Sequence, residues 1–163
     1  MKSKIIICLL FIGFAALFLF SSCRKEETAV LQSKVLEKNL LKSGSKYSEA
    51  LSQRGSGEVI FSIEDIKREG DSMKINVKGG CSSDDYLVIW DGVILESYPM
   101  QIRLVLVNES GNTSCDASNK YTLKVNLAKL IGKQKPEDYI IHVANGSVKE
   151  DKSLNPDGSV TLH

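Results

Sequence analysis

In Tyr121-Thr122-Leu123-Lys124-Val125-Asn126-Leu127 the apolar Tyr121, Leu123, Val125 and Leu127 alternate with the polar Thr122, Lys124 and Asn126. A strand sends successive side chains to opposite faces, so a period of two predicts a half-buried strand with one face on a core. The same pattern recurs upstream. Phe61, Ile63 and Ile66 lead to the turn Glu69-Gly70-Asp71, after which Met73, Ile75 and Val77 alternate with Lys74, Asn76 and Lys78, as in a hairpin. Ile102, Leu104 and Leu106 alternate with Arg103, Val105 and Val107, and Tyr139 to Ala144 and Ser159 to Leu162 supply two further strands. Tyr86-Leu87-Val88-Ile89-Trp90 is continuously apolar, which suits a strand buried on both faces. Asp91-Gly92 then reads as a two-residue hairpin turn returning through Val93-Ile94-Leu95, or as the end of that strand. About seven strands without long intervening helices predict an antiparallel two-sheet sandwich of immunoglobulin-like type, with a small barrel as the alternative. The placing of Trp90 only shortly after Cys81 and well before Cys115 departs from the immunoglobulin family pattern, so the expectation concerns architecture alone.

The strand pattern begins near residue 58, and the sandwich is assigned to residues 58–163. Residues 24–57 are rich in Ser, Lys, Glu and Gly and contain Ser43-Gly44-Ser45 and Gly55-Ser56-Gly57, the composition of a tether. Within it Val30, Leu31, Val35, Leu36, Leu40 and Leu41 recur at spacings that allow an amphipathic helix over residues 28–42. Such a helix of about 15 residues is marginal by itself in water.

The first 22 residues have the layout of a signal peptide. Lys2 and Lys4 precede an apolar run from Ile5 to Phe20, followed by the small Ser21 and Ser22. The run is shorter than the roughly 20 residues a spanning helix needs, and Arg24, Lys25, Glu26 and Glu27 follow at once. Leu19-Phe20-Ser21-Ser22-Cys23 resembles the lipobox of bacterial lipoproteins, which implies cleavage before Cys23 and acylation of that cysteine. Residues 23–57 would then be a lipidated tether. A single acyl chain binds a membrane only marginally, so the multiple acylation of a lipoprotein is what would make the anchor durable. Lys25-Glu26-Glu27 resembles the export signal of certain Gram-negative surface lipoproteins; a solvated linker start is the other reading. Together these imply an outer-membrane protein held by lipid on Cys23, with exposure at the cell surface following from the export signal.

Removing residues 1–22 takes away Lys2 and Lys4 and no acid, so the 21 basic residues fall to 19 against 20 acidic ones. A chain so balanced has no electrostatic footprint for nucleic acid. Of the four cysteines, Cys8 leaves with the signal and Cys23 takes lipid. Cys81 and Cys115 remain as a pair in an exported chain, which predicts a disulfide. No Cys-x-x-Cys spacing is present and the chain has two histidines, His142 and His163, so no metal or other cofactor is expected.

Gly79-Gly80-Cys81, Tyr86 to Trp90-Asp91-Gly92 and Ser114-Cys115-Asp116-Ala117 resemble the β-sandwich half of NigD-like lipoproteins, over about 80 residues. Those proteins carry a further small β-domain ahead of the sandwich. The resemblance implies a non-catalytic envelope protein, in a family associated with bacteriocin immunity. Tyr86, Trp90 and Tyr98 are the aromatic candidates for a protein or glycan surface, with core packing as the alternative for Trp90. Asp71-Ser72-Met73 resembles a bacterial O-glycosylation acceptor with Ser72 as the modified residue. A nucleophile needs a base in reach, and His142, alternating with Ile141 and Val143, reads as a core-edge histidine. Asp84-Asp85 lacks the rest of a cation-binding loop. The function expected is therefore that of a lipid-anchored envelope protein whose sandwich binds a protein or glycan partner. A structural component of a surface complex and a hydrolase with an unrecognised site are the alternatives.

Overall fold

The computed structural model describes residues 33–56, 59–110, 112 and 114–163. The signal sequence, Cys23 and Lys25-Glu26-Glu27 lie outside the described residues. Among the described residues ten strands form two packed sheets. They are β1 (Lys34–Glu37), β2 (Leu40–Lys42), β3 (Ser62–Glu69), β4 (Ser72–Lys78), β5 (Tyr86–Leu95), β6 (Met100–Asn108), β7 (Lys120–Asn126), β8 (Tyr139–Asn145), β9 (Lys152–Leu154) and β10 (Val160–Leu162). The larger sheet has the order β1-β2-β5-β6-β8-β9-β10, and the smaller has β3-β4-β7. The all-β sandwich is thus as expected, but the larger sheet is mixed: β2 runs parallel to β5, and β6 runs parallel to β8.

The main core fills the space between the sheets. Ile63, Ile66, Met73, Ile75, Val77, Leu123 and Val125 of the smaller sheet meet Tyr86, Val88, Ile102, Leu104, Leu106, Tyr139, Ile141 and Val143 of the larger one. These are the inward members of the alternating runs, and each fully buried aliphatic side chain contributes about 1.5–3 kcal/mol. A second, smaller cluster lies on the opposite face of the larger sheet, where Leu41, Ile89, Val105 and Ala144 are covered by Tyr47, Ala50 and Leu51. That cover is helix α1 (Gly44–Ser52). Tyr47, Ala50 and Leu51 stand at i, i+3 and i+4, one face of a helix. Burial on both faces explains why Tyr86 to Trp90 is apolar without interruption.

Residues 34–52, assigned to a tether, belong to the folded domain. Leu40 is fully buried, β2 pairs with β5 in the interior of the larger sheet, and α1 follows directly. Residues 34–37 and 40–42 are strands rather than part of a helix over 28–42. Val35, Leu36, Leu40 and Leu41 allow either state, and pairing with β5 settles it.

The Asp91-Gly92 turn is also different. The chain does not reverse there; β5 continues to Leu95 with a shift of register against β6 between Trp90 and Ile94. The Asp91 carboxylate accepts from the Val93 N–H at 2.9 Å, and Gly92 has φ +88°. An Asp-Gly pair serves a hairpin turn or a bulge equally well, because both need a positive φ. The reversal comes at Glu96–Pro99. A second short helix, α2 (Ala128–Ile131), leads from β7 toward β8.

Gly79 and Gly80 end β4 where no side chain fits. Both have positive φ, and a Cβ on Gly80 would lie 2.8 Å from the Tyr86 hydroxyl and from Asn108 Nδ2. Cys81 follows and is paired with Cys115 of the loop ahead of β7, with Cα atoms 4.9 Å apart. The bond ties the end of the central strand of the smaller sheet to the start of its neighbour.

Candidate functional site

The outward face of the larger sheet is apolar under α1 and becomes polar beyond it. Period two sends Ile141 and Val143 inward, so His142 between them faces outward, and parallel register sets it beside Arg103 of β6. Antiparallel register sets it beside Ser153 of β9 on the other side. His142 and Arg103 line an open cleft of about 420 Å³ together with Tyr47, Arg54, Gln101 and His163.

The hydrogen bonds in this cleft form one directed chain. Gln101 donates through Nε2 to Ser97 Oγ at 3.1 Å, so its Oε1 faces His142 Nε2 at 3.0 Å as an acceptor. His142 therefore carries its hydrogen on Nε2, and Nδ1 accepts from the Ser153 hydroxyl at 2.7 Å. The Ser153 oxygen in turn accepts from His163 Nε2 at 2.8 Å. The scheme holds only with His142 neutral, because a second ring hydrogen would face the Ser153 hydroxyl proton. Its pKa agrees: burial lowers it below the ordinary 6.5, and the neighbouring His163 and Arg103 lower it further.

The arginines of the cleft are each held by an acid. Arg103 meets the buried Asp91 at 2.6 Å, and Arg54 meets Asp151 at 2.5 Å. Asp151 also accepts from the Asn145 backbone N–H at 3.0 Å, and its main chain pairs with that of His163. Burial raises the pKa of Tyr47, and the charge of Asp91 adds to this. The result is a rigid set of oriented hydrogen-bonding groups. Ser153 is only 2% exposed and its hydroxyl is engaged on both sides, so a hydroxyl attack from this position would need a rearrangement of the whole chain.

The aromatic candidates separate. Tyr86 is buried, donates its hydroxyl hydrogen to Gly79 O at 2.9 Å and meets the Phe61 ring edge-on at 5.2 Å; burial pushes its pKa up to about 12. Trp90 is buried too, its Nε1 donating to Val93 O at 3.2 Å, with Lys42 Nζ 4.9 Å from the ring centroid. Both are core residues rather than parts of a binding surface. Tyr98 is fully exposed in the β5–β6 turn. Ser72 opens β4 on the outward face of the smaller sheet, directly after the Gly70-Asp71 turn. Asp84 pairs with Lys38 at 2.9 Å and lines a different groove, with Asn39 and Lys124, so the structure does not gather Asp84 and His142 into one site.

Arg103, Gln101, Ser153 and His163 were not singled out by sequence reasoning. Arg103 and His142 do stand on the outward face of alternating runs, but their adjacency comes from the parallel β6–β8 pairing, which leaves no local signal. Among the described residues no group of three or more His, Cys, Asp or Glu side chains could hold a metal ion. Comparison of the chain with protein-family models, with curated proteins and with solved structures finds no match.

Proposed function

We propose that this chain is a lipid-anchored envelope protein of the outer membrane, without catalytic activity, whose sandwich binds a protein or glycan partner in the cleft around His142. The observation that carries the anchor is Leu19-Phe20-Ser21-Ser22-Cys23 after an apolar run too short to span. With the first described strand at Lys34, the residues from Cys23 to Ser33 could span at most about 40 Å at about 3.5 Å each. The non-catalytic part of the reading is supported by the enclosure of Ser153 and by the use of both arginines as partners of Asp91 and Asp151. Fixed hydrogen-bonding groups beside Tyr47, with Arg54 Nε and Arg103 Nε left without a partner among the described residues, suit recognition of a polar ligand.

The anchor is tested by Cys23→Ser with fatty-acid labelling and membrane fractionation. Loss of label and release from membranes are expected, and undiminished labelling overturns the anchor. Lys25-Glu26-Glu27 supports display on the outer face, tested by protease accessibility in intact cells before and after replacement of the three residues by alanine. For the cleft, a pull-down from envelope extract recovers a saturable partner, and Arg103→Ala with His142→Ala loses it. Recovery unchanged by the double substitution removes the cleft from the reading.

A further inference from the structure

The outward face of the smaller sheet carries an arrangement that folding by itself disfavours. Register places Lys74 of β4 directly opposite both Lys67 of β3 and Lys124 of β7, and it places Lys78 directly opposite Lys120. Cβ atoms at such positions lie about 4.5–5.5 Å apart, and like charges there weaken a sheet. The whole chain has a formal charge of only +1, so the cluster reflects placement and not composition. Between the two lysine rows Thr122 donates to Asn76 Oδ1 at 2.8 Å, which leaves Asn76 Nδ2 to donate outward.

The compensating acids stand on the β3 side. Glu69 meets Lys74 at 2.7 Å, Glu64 meets Lys120 at 2.9 Å, and Asp65 is exposed beside them. Lys78 and Lys124 have no acidic partner among the described residues. Protection of an exposed edge accounts for lysines on β7, but not for Lys74 and Lys78, because β4 is the central strand.

We propose that this face binds a linear acidic polysaccharide laid along β4 and β7. The lysine rows are four residues apart, about 13 Å at about 3.3 Å per residue, so a single small anion cannot meet both. A chain with repeating carboxylates or sulfates can. A flat anionic membrane would press on Glu64, Asp65 and Glu69 together, whereas a narrow chain can follow the unpaired Lys78 and Lys124 and has to displace only Glu69 from Lys74 and Glu64 from Lys120. Tyr121 packs toward the core, so the face offers no ring on which a nucleic acid base could stack. This goes beyond the anchored binder: the surface is separate from the cleft, and the binding holds whether or not Cys23 is acylated.

The test uses the full-length chain in non-ionic detergent, titrated with polygalacturonate, neutral dextran, a single-stranded oligonucleotide and phosphatidylglycerol vesicles. Polygalacturonate binds and dextran does not. The affinity falls as the screening length shrinks from about 10 Å in about 0.1 M salt to about 3 Å in about 1 M salt. Lys78→Glu with Lys124→Glu weakens binding at least about ten-fold, through the loss of cation contacts to the polyanion. The melting temperature of that variant is unchanged or higher, since each change removes a like-charge opposition, and Lys46→Glu on α1 leaves binding intact. The proposal is overturned by absence of polygalacturonate binding, by binding that is insensitive to salt or survives the double change, or by equal or tighter binding of vesicles or oligonucleotide.

Discussion

His142 shows how one side chain ties burial to pH. Its folded pKa lies below the unfolded value near 6.5 because burial disfavours the charged ring. The unfolded chain then binds more protons in the window between the two values, so stability rises with pH there. The contribution of His142 is complete above about pH 6.5 and is lost as pH falls through the lowered folded value. Urea unfolding at a series of pH values shows this slope in the native chain, and His142→Gln flattens it. Gly80 makes a second residue-scale case. Gly80→Ala places a Cβ 2.8 Å from the Tyr86 hydroxyl at φ +75°, and left-handed strain in a residue other than glycine costs about 1–3 kcal/mol. A fall in unfolding free energy of that order, measured by urea denaturation, is expected, and an unchanged value excludes the close approach. Of the candidate site residues, Tyr98 was readable as a surface candidate and Trp90 already had a core reading, but the sequence left open which face of Tyr86 to Trp90 is buried. An apolar strand with aromatic ends looks the same from either face until the second sheet and α1 cover it.

At the scale of elements, β2 and α1 test the domain boundary. Leu40→Ala leaves a cavity between the sheets, and such truncations cost about 2–5 kcal/mol. A residue in a solvated tether would cost almost nothing, so the size of the change measured by chemical unfolding separates the two descriptions. The Ser43 hydroxyl caps α1 by accepting from the Lys46 N–H at 3.4 Å. Ser43→Ala is therefore expected to cost about 0.5–2 kcal/mol. The alternating strands β3, β4, β6 and β7 were legible because period two survives wherever one face is wet. β2 was not, because three residues are too few to show a period, and its burial on both faces hides the alternation. The bulge at Asp91-Gly92 was hidden for another reason. Its local chemistry is that of a turn, and only the continuing pairing of Ile94 and Leu95 with β6 makes it a bulge.

For the molecule as a whole, the Cys81–Cys115 bond closes a loop of 34 residues' separation across the smaller sheet. Reduction is expected to lower stability by about 3–4 kcal/mol in the chain-entropy description. A thiol assay on the unreduced folded chain should find neither Cys81 nor Cys115 reactive, and reactivity of both overturns the pairing. Fold class, the inward set of the alternating strands and the cysteine pair were determined by the sequence alone, since each rests on a local period or a simple inventory. Sheet order, the parallel pairings of β2 with β5 and of β6 with β8, and the limits of the domain were decided only in the tertiary structure. So were the cleft around His142 and the opposed lysines of β4 and β7. Each of these depends on which strands lie side by side, and that choice is made by the joint burial of surfaces far apart in the chain, which no local pattern records.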